Sequence, residues 1–273
     1  MASRCRLTPA VLLSHKGLRF QTLLTLLLTV VHFGNFAVAG LPETIDRIKP
    51  SLVAIGAVNK SRGQAFRAFG TGFVVGDGSL VVTNAHVTAV MGRLNEQEVL
   101  AVLVRGSGSE TEVRQAREIA SDPEHDLVLL KLDGPRMVPL PLGTTNSATV
   151  REGQSIAFSG FPLVGVFGPF PATNRGIISA ITPIVIPGAQ ASQLNEKQIK
   201  RLSIGSFQIY QLDATAYPGS SGSPLYDADT GDIIGIINMV LVRGTKESAL
   251  SQPSGITYAI PVRYLQALLR SVH

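Results

Sequence analysis

The 273-residue sequence has a single cysteine, Cys5. Everything after it lacks a thiol, which excludes disulfide cross-links, cysteine-ligated metal and a thiol nucleophile from the rest of the chain. Aromatic residues make up only 6% and charged residues only 16%, whereas hydrophobic residues reach 45%, enough for a sizeable core in one large domain or two small ones. With few aromatics, the 27 glycines and 16 prolines predict many turns, as in an all-β architecture. There is no internal repeat and no low-complexity tract.

The basic excess is also scarce where it would matter. The net charge is +5, but residues 1–39 hold Arg4, Arg6, Lys16 and Arg19 and no acid. Subtracting those four leaves +1 for the remainder. A nucleic-acid partner calls for a basic surface on the folded domain, so none is expected.

Residues 1–39 have three parts. A basic stretch to Arg19 precedes an apolar run, Leu23 to Val31, broken only by Thr25 and Thr29. Ala37-Val38-Ala39 then puts small residues where a signal peptidase looks, ahead of Gly40. This is the pattern of a secretory signal peptide, with an apolar core short for a membrane span. The long basic region leaves an uncleaved membrane anchor as the alternative, the one case in which a membrane contact is expected.

From Leu52 onward, short β-branched and aliphatic runs alternate with turn residues. Strands are predicted over Leu52–Val58, Gly72–Val75, Leu80–Thr83, Val99–Val104 and Leu127–Leu132. A second set follows at Ser155–Phe158, Gly176–Ile181, Phe207–Leu212, Ile233–Val242 and Gly255–Ile260. Gly76-Asp77-Gly78 reads as a hairpin turn and Gly134–Asn146 as the linker between the sets. Two groups of this kind predict two six-stranded antiparallel β-barrels, at about 50–134 and 150–262, with a closing helix over 262–271. The polar stretch Pro183–Ser206 is expected to be a surface insertion.

Three short segments carry candidate chemistry. In Tyr217-Pro218-Gly219-Ser220-Ser221-Gly222-Ser223-Pro224-Leu225, the frame Gly-x-Ser-Gly selects Ser221 and leaves Ser220 and Ser223 out. A serine hydroxyl needs a base to take its proton and donors to hold the developing oxyanion. The glycine two residues before it allows the turn that brings the N–H groups of Gly219 and Ser221 to one point. Alone, the segment also reads as a simple Gly/Ser turn between strands.

In Leu80-Val81-Val82-Thr83-Asn84-Ala85-His86-Val87, an aliphatic strand sets a histidine just past its end. In His125-Asp126-Leu127-Val128-Leu129-Leu130-Lys131-Leu132, an acid immediately precedes a strand, placed to orient that imidazole. After residue 39 the histidines are His86, His125 and His273. His125 is the rival base, and Asp122, before Pro123, the rival acid. The order His86, Asp126, Ser221, with the first two in one strand set and the third in the other, is that of chymotrypsin-like enzymes. It puts the expected site in a cleft between the barrels.

These segments, with Gly70-Thr71-Gly72-Phe73-Val74-Val75 and Gly255-Ile256-Thr257-Tyr258-Ala259-Ile260-Pro261, resemble the protease domain of HtrA/Deg-type serine peptidases. The resemblance runs from about Leu52 to Val262. It implies a trypsin-like fold over residues 40–273, serine endopeptidase activity without a cofactor, and polypeptide substrates. Disulfide-free proteases of this kind point to a bacterial periplasmic or secreted location. The PDZ domain usual in the family is not expected, since the sequence stops about ten residues after the last matching segment. Oligomerisation is left open.

The resemblance also places Thr215, six residues before Ser221, near the base of the primary specificity pocket, and Asn238, Met239, Val240 and Leu241 near its wall. An uncharged residue at 215 argues against selection of Arg or Lys, because burying an unpaired cation is costly. Met239 and its aliphatic neighbours suggest a small or medium apolar side chain instead. The alternative to the enzyme is a catalytically silent binding protein of the same fold.

Overall fold

A computed structural model of the chain describes residues 40–59, 66–89, 97–106, 110–143, 150–164, 168–183, 207–238 and 256–272. The expected leader and the body of the expected insertion lie outside these residues. So do the end of the strand predicted to Val242 and the pocket residues Met239, Val240 and Leu241.

The strands divide into two closed antiparallel barrels, which is the trypsin-like fold. The first contains β1 (Leu52–Asn59), β2 (Phe66–Val75), β3 (Leu80–Asn84), β4 (Glu98–Arg105), β5 (Thr111–Asp122) and β6 (Leu127–Leu132), ordered β1-β2-β3-β6-β5-β4. The second contains β7 (Ser155–Gly160), β8 (Ala172–Pro183), β9 (Gln208–Asp213), β10 (Pro224–Asp227), β11 (Ile233–Asn238) and β12 (Ile256–Pro261), ordered β10-β11-β12-β9-β8-β7. The named α-helices are α1 (Leu41–Ile48), the short α2 (Ala85–Ala89) and α3 (Val262–Arg270), with a single 3-10 turn at Lys49–Ser51.

The period-2 alternation of strands explains the continuous apolar runs. In β1, Val53 and Ile55 join the core inside the first barrel, while Leu52 and Ala54 join a second core shared between the barrels. In β6, Val128 and Leu130 take the first role and Leu127 and Leu129 the second. Strands buried on both faces read as unbroken Leu/Val sequence. The shared core continues through Ala157, Tyr226, Ile236 and Ile260 of the second barrel, whose own interior holds Ile156, Phe158, Leu212, Leu225 and Ile237. Emptying one of these positions, as in Leu129→Ala, costs about 2–5 kcal/mol.

Two strands and two α-helices, α1 and α2, go beyond the sequence reading. β5 is polar along its length (TEVRQAREIASD) and mostly solvent-facing, so no apolar run marks it. β10 has only four residues and opens on a proline, directly behind the serine segment. α1 docks against the turn joining β10 to β11, where Arg47 Nη2 donates to Thr230 O at 2.9 Å and Ile48 enters the shared core.

Between the barrels, Met137 N donates to Gly78 O, Leu140 N to Val74 O and Gly143 N to Ile233 O. The expected linker is thus pinned first to one barrel and then to the other.

Candidate active site

Asp126 begins where the β5–β6 turn ends. Its backbone is left-handed, φ 55, a conformation that aspartate tolerates better than most residues. The twist aims its carbonyl at the end of β3, where it accepts from Ala85 N (3.0 Å) and Asn84 Nδ2 (3.1 Å). Its carboxylate faces α2. There Oδ1 accepts from His86 N at 2.8 Å and Oδ2 pairs with His86 Nδ1 at 2.5 Å. An ionised carboxylate only accepts, so Nδ1 is the donor and a neutral ring keeps Nε2 as an acceptor. A third donor reaches across from the second barrel: Asn238 Nδ2 bonds Asp126 Oδ2 at 2.7 Å.

Asn238 is 2% exposed. It stands at the end of β11, and its amide is committed to the carboxylate. Sequence reasoning did not see this tie. The available signal was a polar residue closing the apolar run Ile233–Ile237, since a buried amide needs a partner.

Ser221 is joined to this pair through the backbone. Gly222 N donates to Ile237 O, next to Asn238, and Thr71 N donates to Ser221 O at 2.8 Å. At Gly70, an added Cβ would stand 2.9 Å from both γ-carbons of Val87 and 3.0 Å from Ser221 O. Ser221 and the residue after His86 therefore both crowd the side-chain position of one glycine. These links form a closed circuit: 221–222–237–238–126–86–87–70–221. No hydrogen bond joins Ser221 to His86 among the described residues. Such catalytic contacts commonly tighten only when substrate binds.

The serine loop is constrained by two glycines with positive φ, Gly219 at 101 and Gly222 at 86. A Cβ on Gly222 would collide with Thr71 O and Thr83 Oγ1. Within the loop, Ser220 N donates to Tyr217 O, Gly222 N to Ile237 O and Ser223 N to Ser220 O. The amides of Gly219 and Ser221 alone among residues 219–223 donate to nothing in the described residues. Ser220 and Ser223 are more deeply buried than Ser221.

The rival base and acid pair with each other. His125 N donates to Asp122 Oδ1 at 3.1 Å and His125 Nδ1 to Asp122 Oδ2 at 2.6 Å. The ring stacks on Tyr264 of α3, centroids 3.9 Å apart, and meets Phe207 edge-on. Thr215 is half-buried between buried Ala214 and Ala216. No group of three or more His, Cys, Asp or Glu side chains suited to a metal occurs among the described residues.

A model of the trypsin-like peptidase domain matches residues 70–236, and the chain belongs to that family. Its relatives are HtrA- and DegP-type proteases. Serine protease HTRA1A of Danio rerio is 30% identical over 224 residues, covering 81% of this chain and 39% of that protein. A probable periplasmic serine endoprotease, DegP-like, of Halomonas elongata is 29% identical over 196 residues, covering 72% and 33%. The chain thus spans about two fifths or less of these relatives' lengths. The crystal structure of Deg5 shares the fold, with a TM-score of 0.57 at 24% identity over 83% of this chain and 90% of that one.

Proposed function

We propose that this chain is a serine endopeptidase whose triad is His86, Asp126 and Ser221. Ser221 Oγ attacks a peptide carbonyl carbon while His86 Nε2 takes the hydroxyl proton. Asp126 holds the ring in the tautomer that leaves Nε2 free and stabilises the imidazolium that forms. The negative oxygen of the tetrahedral intermediate is received by Gly219 N–H and Ser221 N–H. Collapse of the intermediate breaks the C–N bond, and the leaving amine takes the proton from His86. Water, deprotonated by His86, then hydrolyses the ester at Ser221 and returns the enzyme.

The observation that carries this reading is the pair of unspent amides flanking Ser220. A His–Asp pair alone does not decide it, because His125 and Asp122 make one with the same bonds. A loop with its other amides engaged and these two left over is what oxyanion binding requires.

The substrates we propose are flexible or unfolded polypeptides outside the cytoplasm. Support comes from the signal-like residues 1–39 and from DegP-like relatives whose names place them in the periplasm. No described helix is long and apolar enough to cross a membrane. At the cleavage site, uncharged Thr215 and its alanine neighbours favour a small or medium apolar residue over Arg or Lys.

A fluorophosphonate probe and casein test the chemistry. The wild type is expected to label and to cleave, and Ser221→Ala to do neither. Equal cleavage by that variant overturns the mechanism, and a wild type that binds casein without cleaving it supports a silent binding protein instead. Mass measurement of the exported chain tests the leader: a new N-terminus at Gly40 supports a cleaved signal, and an intact leader in the membrane fraction supports an anchor.

A further inference from the structure

Thr71 lies in the middle of β2, is fully buried, and uses every polar atom it has. Its N–H donates to Ser221 O at 2.8 Å, and its carbonyl accepts from Thr83 Oγ1 at 2.7 Å. Its hydroxyl donates to Gly219 O at 2.7 Å and accepts from Phe161 N at 2.9 Å. One side chain of the first barrel thus grips two loops of the second, 161–163 and 218–221.

The grip bears on the direction of one N–H. Gly219 N–H belongs to the same peptide plane as Pro218 O and points the opposite way. Pro218 O accepts from Leu163 N at 2.9 Å. The next plane presents Gly219 O to Thr71. With the planes on both sides held, the Gly219 dihedrals are fixed. Glycine visits either sign of φ with little penalty, so nothing in the residue itself prevents these planes from rotating. The restraint has to come from the partners, and Thr71 supplies one directly. It supplies the other through Phe161 N, two residues before Leu163.

We propose that Thr71 is a positioning residue for the oxyanion donor Gly219: its hydroxyl, bonded to Gly219 O and Phe161 N, steadies the peptide planes on both sides of Gly219 so that Gly219 N–H faces the reacting carbonyl oxygen. This rests on the serine-peptidase reading above. Thr71 touches neither substrate nor the reacting atoms, so its loss acts on the turnover step and spares ground-state binding.

Thr71→Val keeps the shape and removes both hydroxyl bonds, whereas Thr71→Ser keeps the hydroxyl. With a peptide substrate, the valine variant is expected to lose about 10- to 100-fold in kcat, less than removing an oxyanion donor outright, with KM within about twofold. The serine variant is expected to stay within about threefold of wild type in both. Fluorophosphonate labelling of the valine variant should slow in parallel with kcat. Should it fail to fold by circular dichroism, Thr71→Cys, whose thiol donates weakly, takes its place with the same expected split. Wild-type kcat in the valine or cysteine variant overturns the proposal, as does a serine variant as impaired as the valine one. A wild type that never labels overturns the peptidase reading beneath it. A wild type and a Thr71→Val that label at equal rates overturn the role of Thr71 alone.

Discussion

The described residues contain two histidine–aspartate pairs built alike. In each, one carboxylate oxygen takes the histidine's backbone N–H and the other takes Nδ1, at 2.8 and 2.5 Å for His86–Asp126 and 3.1 and 2.6 Å for His125–Asp122. They differ in reach and company. His125 and Asp122 are three residues apart within one turn, and the ring is packed against Tyr264 and Phe207. His86 and Asp126 come from separate connections of the first barrel, receive Asn238 from the second, and stand beside a serine loop with two spare amides. The comparison teaches that the pair is a local device available to any turn. The second barrel's contribution is what makes one of them a candidate for catalysis.

Substitutions in the two pairs should therefore separate by orders of magnitude. His86→Ala removes the proposed base and should lower kcat by about a million-fold, measured on a fluorogenic peptide. Asp126→Asn keeps the size but presents a donor to His86 Nδ1, reversing the tautomer. The expected loss is about ten-thousandfold. Asn238→Ala leaves the His86–Asp126 bonds in place and removes the third donor, for an expected loss of about 10- to 30-fold in kcat. His125→Ala should leave kcat within about twofold while lowering the unfolding midpoint by about 2–4 °C, since a half-buried bond and a stacked ring are lost. If His125→Ala abolishes turnover and His86→Ala does not, the assignment of the two pairs is inverted.

Much of the architecture could be read in advance because the strands facing the shared core are apolar on both sides, as in LVVTN and LVLLKL. The polar strand β5 and the four-residue β10 escaped because their pairing comes from neighbours: β5 closes the barrel between β4 and β6, and β10 between β7 and β11. The serine loop and the two histidine segments announced themselves because tight turns and strand ends leave local residue patterns. Asn238 and Thr71 did not. Each is a single polar residue at a β-strand position whose partner lies more than a hundred residues away, and only the folded chain reveals the bond.

The helices at either side of the barrels are crossed. α1 leads into the first barrel yet rests on the β10–β11 turn of the second. α3 follows the second barrel yet lays Tyr264 on His125, in the β5–β6 turn of the first. Each half is laced down by a strap that belongs to its neighbour in sequence. Undoing one strap would leave both sheets and their shared core in place but remove one contact that sets the register between them, and the circuit from Ser221 to His86 crosses that boundary. The alignment of the proposed site therefore depends on residues at the two ends of the described chain as well as on the barrels: shortening α3 before Tyr264 is expected to lower peptide cleavage more than it lowers β-structure measured by circular dichroism.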